Sequence, residues 1–191
     1  MRWFVCILLL GGIVMAAPGG LPARWPAPPG VHTETIPFPL DFAPQVAFHG
    51  IEEIRFAPGF RKPDAPDWFT YSFVWYVNDS RQLDVKADLT AYFRGLMDAV
   101  AKEDHLTTRA WPTWVEVGEV ASGFTDEPTT HAVVHTWDAF GTPGPLTLDI
   151  QVYEPPCSVP DHRFYYFETT PHPHDPAVRH LLDRLRAAFD T

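Results

Sequence analysis

Cysteine, lysine and asparagine are nearly missing from this chain: two, three and one among 191 residues. Cys6 falls in an N-terminal apolar run and Cys157 stands far from it, so loss of that run leaves a lone thiol and excludes an internal disulfide. A single cysteine in an oxidising compartment is buried and inert, paired with a second chain, or a reactive nucleophile. Cys157 is flanked by prolines and has no base or cation beside it in sequence, so a structural, unreactive thiol is expected. Three lysines against eleven arginines, with Asn78 as the one asparagine, point to a GC-rich bacterial genome. Asn78-Asp79-Ser80 is accordingly turn chemistry rather than a glycosylation signal.

Basic surface is also scarce. Fourteen Lys and Arg against 24 Asp and Glu give a formal net charge of −10, and the only tight basic pair is Arg61-Lys62 in a proline-rich turn. A general grip on nucleic acid or on an anionic membrane needs the opposite balance, so both partners are set aside. No Gly-x-Ser-x-Gly elbow, phosphate-binding glycine loop or His-Glu-x-x-His helix occurs. No cofactor is expected, and every familiar route to naming a reaction fails.

What is present begins with MRWFVCILLLGGIVMAA: one positive charge, an apolar run from Trp3 to Ile13, then small residues. The run is too short to span a bilayer as a helix, and Val14-Met15-Ala16 suits a signal peptidase. Residues 1–16 are expected to be an export signal, with a soluble periplasmic or extracellular product. Cys6 does not follow the apolar stretch, where a lipoprotein's modified cysteine would stand. Residues 17–32 read as a proline-rich linker in which Trp25 docks on its own domain or on a partner groove, the first being expected. The remaining 33–191 form one domain, for which 46 % apolar and 14 % aromatic residues supply ample core.

Period-2 alternation predicts strands over 51–57, 68–77, 113–120, 130–137, 145–153 and 163–169, and at most an edge strand over 36–40, where prolines interrupt. In 51–57, Ile54 and Phe56 point one way with Glu52 beside them, while Glu53 and Arg55 point the other and form a surface ion pair. Glu52 and Glu53 therefore cannot cooperate on one substrate. Both faces of WFTYSFVWYV are apolar, which predicts a central strand covered on both sides. Three- and four-residue spacing gives helices over 84–102, capped by Asp84, and 175–189, opened by Asp175-Pro176. The expected fold is α+β: a mostly antiparallel twisted sheet of about six strands with two helices on one face. Strand, proline loop, aromatic strand and helix occur twice in that order, so a duplication would set the two helices side by side.

EEIRFAPGF and WFTYSFVWYV, in this order and followed by a helix, resemble segments of uncharacterised exported bacterial proteins. The resemblance spans the chain from about Ile36 and implies export and a single domain. It supplies no site residue.

Candidate chemistry is thin. His131 and His135 share a strand face at about 13 Å, too far for one ion. His172 and His174 are weak metal candidates, with Asp175 needed as the helix cap. A hydrolase-like enzyme would use Cys157 with His162, or His172 and His174. The favoured expectation is a binding module for a small ligand or a protein partner, using aromatic residues on an uncovered sheet face: Trp114, Tyr153 and Trp111, with Phe60 in the loop 58–67. Trp114 and Tyr153 stand among polar neighbours and are the expected surface pair, with loops 58–67 and 155–161 as rim.

Overall fold

The computed structural model describes residues 24–106, 112–118, 129–141 and 143–189. The expected export signal, the linker as far as residue 23, and Trp111 lie outside the described residues.

Seven strands form one antiparallel sheet: β1 (His32–Pro37), β2 (Gly50–Phe56), β3 (Tyr71–Val77), β4 (Trp114–Gly118), β5 (Thr129–Asp138), β6 (Gly144–Tyr153) and β7 (Arg163–Thr170). Their order is β1-β2-β3-β7-β6-β5-β4, so β3 and β7 join two sequential hairpin arms in the middle of the sheet. The seventh strand is β1, which begins four residues earlier than the proline-interrupted run suggested and pairs along its length with β2. Pro37 ends it because a second proline follows two residues on.

Helix α1 (Val85–Glu103) is capped by Asp84, which accepts from Ala87 N–H at 3.0 Å, while Asp88 accepts from Asp84 N–H at 2.9 Å. Its Leu89, Tyr92, Phe93 and Met97 are buried, and Tyr92 stacks on Phe73 of β3 with ring centroids 5.3 Å apart. Phe73 in turn stacks on Phe167 of β7 at 4.3 Å. Gly95 lets α1 close on the preceding loop, since a Cβ there would lie 1.9 Å from the Phe42 carbonyl oxygen.

Helix α2 (Pro176–Ala187) lies on the opposite face, contrary to the expectation of two helices on one side. Glu168, which alternates with Phe167 along β7, is its anchor: Arg179 hydrogen-bonds to Glu168 and Arg186 pairs with it at 3.3 Å. The central strands are apolar on both faces, and a second apolar face left in water would expose Val74, Phe164 and Tyr166, all of them buried here. The fold is thus helix, sheet, helix across its middle. Side-by-side helices, the corollary of a duplication, are absent.

Trp25 docks on its own domain. Its indole N–H donates to Leu185 O at 2.9 Å, its ring meets Tyr166 and Phe189, and the Arg55 guanidinium lies 4.4 Å over it. Arg55 also donates to Trp25 O at 2.6 Å and to Glu53 at 2.9 Å. The Glu53–Arg55 pair is therefore present but sheltered beneath this strap, with Arg55 buried, instead of lying on the surface.

Candidate functional site

A cavity of about 620 Å³ opens between the β1–β2 edge of the sheet and α1. Strand alternation brings Glu34 and Ile36 of β1, Ile54 and Phe56 of β2 and Tyr71 of β3 to its sheet wall. Tyr92 and Leu96 of α1 form the facing wall, and Phe60, Arg61, Lys62 and Phe140 close the end. The volume falls within the range of about 300–1,000 Å³ typical of small-molecule sites.

The end wall is a tightly bonded loop. Phe60 N–H donates to Ala57 O at 3.0 Å, Lys62 N–H to Gly59 O at 2.8 Å, and Phe69 N–H to Phe60 O at 3.1 Å. Gly59 N–H donates to Asp67 Oδ2 at 2.9 Å, and a Cβ at Gly59 would lie 1.9 Å from Asp67 Oδ1. Only glycine admits that carboxylate. Phe60 packs on Phe56, Phe69, Tyr71 and Phe140 with centroids 4.6 to 5.8 Å apart, so the aromatic wall is set before any ligand arrives.

Behind Tyr92 lies a fully buried carboxyl. Glu52 Oε1 accepts from Tyr92 OH at 2.8 Å and from Trp75 Nε1 at 3.2 Å, while Oε2 has no hydrogen-bond partner among the described residues. Burial pushes the Glu52 carboxyl up to about 8, against the lowering effect of its two donors and with a smaller push from Glu34. It is protonated at neutral pH. Burial also raises Glu34, with Arg61 opposing, and holds the Tyr71 and Tyr92 hydroxyls far above their ordinary range. The lining is therefore aromatic and mostly neutral, with Glu34, Arg61 and Lys62 at the mouth.

The residues named from sequence divide between several places. Phe60 lines the cavity. Trp114 stands on the edge strand β4 at the far side of the sheet, 46 % exposed, with its ring stacked on His135 at 4.5 Å. Around it on that face, His135 approaches Glu116 at 3.6 Å and Thr147 at 3.3 Å, and His131 bonds Asp149 at 2.6 Å. Tyr153 shares this face but is not on the surface: it is 5 % exposed, with Arg186 stacked over its ring at 4.5 Å and bonded to its hydroxyl. Helix α2 covers the sheet there, which separates Tyr153 from Trp114. Loop 58–67 lines the cavity on the α1 side, whereas Cys157 in loop 155–161 packs beside Tyr76 and Phe164 on the α2 side, so the two loops do not form one rim.

The catalytic alternatives find no assembled geometry. Cys157 is half-buried, its Sγ 3.8 Å from Val159 O, and no hydrogen bond joins it to His162 among the described residues. His162 stacks on Tyr76 at 4.9 Å and its Nδ1 lies 2.8 Å from Pro160 O. His172 sits against Trp68 at 6.3 Å, and Asp175 caps α2 by accepting from Ala177 and Val178 N–H. Among the described residues no three His, Cys, Asp or Glu converge as a metal site.

Sequence reasoning missed the buried Glu52. The signal was there: it shares the apolar face of β2 with Ile54 and Phe56, and a carboxyl on such a face must find donors or neutralise. Comparison with family models, curated proteins and solved structures found no match to this chain.

Proposed function

We propose that this domain binds a small, predominantly apolar ligand in the cavity between β1–β2 and α1. One observation carries the reading: a cavity of about 620 Å³ walled by Ile36, Phe56 and Phe140 and by Phe60, which stands on a loop already held by its own hydrogen bonds. A wall that needs no ordering on binding loses little conformational entropy there. The neutral fluorophore N-phenyl-1-naphthylamine tests it. The probe should bind one to one with the described fold, and Leu96→Trp or Ile36→Trp, each filling the cavity from a half-buried position, should abolish binding while far-UV circular dichroism stays unchanged. Undiminished binding by both filled variants refutes the reading.

A second reading rests on Trp114. One face of its indole is braced by His135 and the side chain remains 46 % exposed among hydrogen-bonding groups, an arrangement suited to a ligand or partner with a flat apolar face. Export of the domain, with cleavage after Ala16, is proposed on the short apolar run and its small-residue exit. Intact mass of the secreted product checks the cleavage, and recovery of the uncut chain in a membrane fraction argues against it.

A further inference from the structure

Arg61 and Lys62 are out of character for this chain. It carries a net charge of −10 and three lysines, yet one of them adjoins an arginine at the mouth of its apolar cavity. Both side chains are exposed, and neither has an ion-pair partner within 4 Å among the described residues. Arg61 lies 5.9 Å over the Phe140 ring, which keeps the guanidinium at the rim. The loop bonds of Gly59, Phe60 and Lys62 fix the backbone that presents both cations.

We propose that the cavity takes an amphipathic carboxylate, its anionic head paired with Arg61 and Lys62 and its apolar body against Ile36, Phe56, Phe60 and Phe140. The proposal rests on the reading of this cavity as a small-ligand site and adds the chemistry of the head group. Of the described residues lining the cavity only Glu34 is acidic, whereas Arg61 and Lys62 are both cations. One carboxylate set against two cations leaves the mouth net positive even when Glu34 is ionised. A cationic head would meet two like charges, and a neutral one would leave both cations unused. Guanidinium and carboxylate match in geometry, and their bonds are stronger where the surroundings are apolar.

The test compares octanoate, methyl octanoate and octylamine as competitors of N-phenyl-1-naphthylamine at neutral pH. Octanoate is expected to compete about tenfold better than the ester or the amine, a preference that shrinks with added salt. The double variant Arg61→Gln/Lys62→Gln should lose the preference while binding the ester as the parent does. Glu34→Gln should strengthen octanoate a few-fold by removing the competing carboxylate. Equal competition by all three ligands overturns the proposal, as does preference for the amine, persistence of the acid preference in the double variant, or weakening of octanoate by Glu34→Gln. If the probe itself fails to bind, the small-ligand reading falls and takes the head-group assignment with it. If the probe binds and the head groups are not distinguished, only the assignment falls.

Discussion

The Tyr92 hydroxyl donates to Glu52 Oε1 at 2.8 Å, joining helix α1 to a carboxyl with no exposed surface on β2. That carboxyl is held to about 8 in the fold against an ordinary value of 4.5. From about pH 4.5 upward the unfolded chain releases this proton while the folded chain keeps it, so stability falls as pH rises until about pH 8. Below the lower value the contribution is complete. The Glu52→Gln variant keeps the acceptor for Tyr92 and Trp75 without the titration. Its urea-unfolding free energy should be flatter between about pH 5 and 8 than the parent's, with the gap at alkaline pH on the order of a few kcal/mol. Parallel pH profiles for the two proteins refute the buried neutral carboxyl.

Trp25→Ala should destabilise the domain by about 3–5 kcal/mol, as for other buried aromatic truncations. The indole is 5 % exposed, its N–H is used by Leu185 O, and its ring shelters Arg55. Urea denaturation measures the change. A loss below about 1 kcal/mol means that the strap rests on α2 without holding it.

Much of this architecture was legible because aromatic and β-branched residues alternate so clearly. The strands over 51–57, 130–137, 145–153 and 163–169 agree with β2, β5, β6 and β7 to within a residue or two, and both helix caps are the aspartates expected. The side taken by α2 was read wrongly, as the face that α1 covers, although the apolar residues on both faces of β3 already required two covering layers. What decides it is a long-range pairing, Arg179 and Arg186 on Glu168, between charges that local periodicity treats as solvent-facing. The same holds for the candidate site. Phe60 was named from its loop, but the cavity joins β1, β2, α1 and Phe140 across the chain, and only the sheet order brings them together.

Trp114→Ala should cost no more than about 1 kcal/mol, because an exposed side chain on an edge strand loses only its stack on His135. Binding of N-phenyl-1-naphthylamine in the cavity should be unchanged, since Trp114 does not line it. A loss of several kcal/mol on urea denaturation makes Trp114 a core residue and removes it as a binding surface.

Glu168 and its two arginines should respond unequally to deletion. The carboxylate is 1 % exposed in its side chain, and burial raises its pKa against the pull of Arg179 and Arg186. The arginines keep about a quarter of their side-chain surface in water, at 28 % and 27 %, and both also reach Asp183. Removing Glu168 by Glu168→Gln leaves two cations that solvent and Asp183 can still satisfy, and the amide oxygen still accepts a hydrogen bond. Removing both cations by Arg179→Ala/Arg186→Ala strands an acid in the sheet with the Tyr153 hydroxyl, 3.5 Å away, as its remaining close donor. Loss of the partners of a buried charge costs about 3–5 kcal/mol, whereas replacing a charge by its neutral isostere costs much less. The double arginine variant should therefore be the less stable on urea denaturation, and its deficit should grow from acidic to neutral pH as the stranded carboxyl is asked to ionise. Equal losses in the two proteins, or a larger loss in Glu168→Gln, show that the arginines hold α2 through packing of their stems and not through the charge they share.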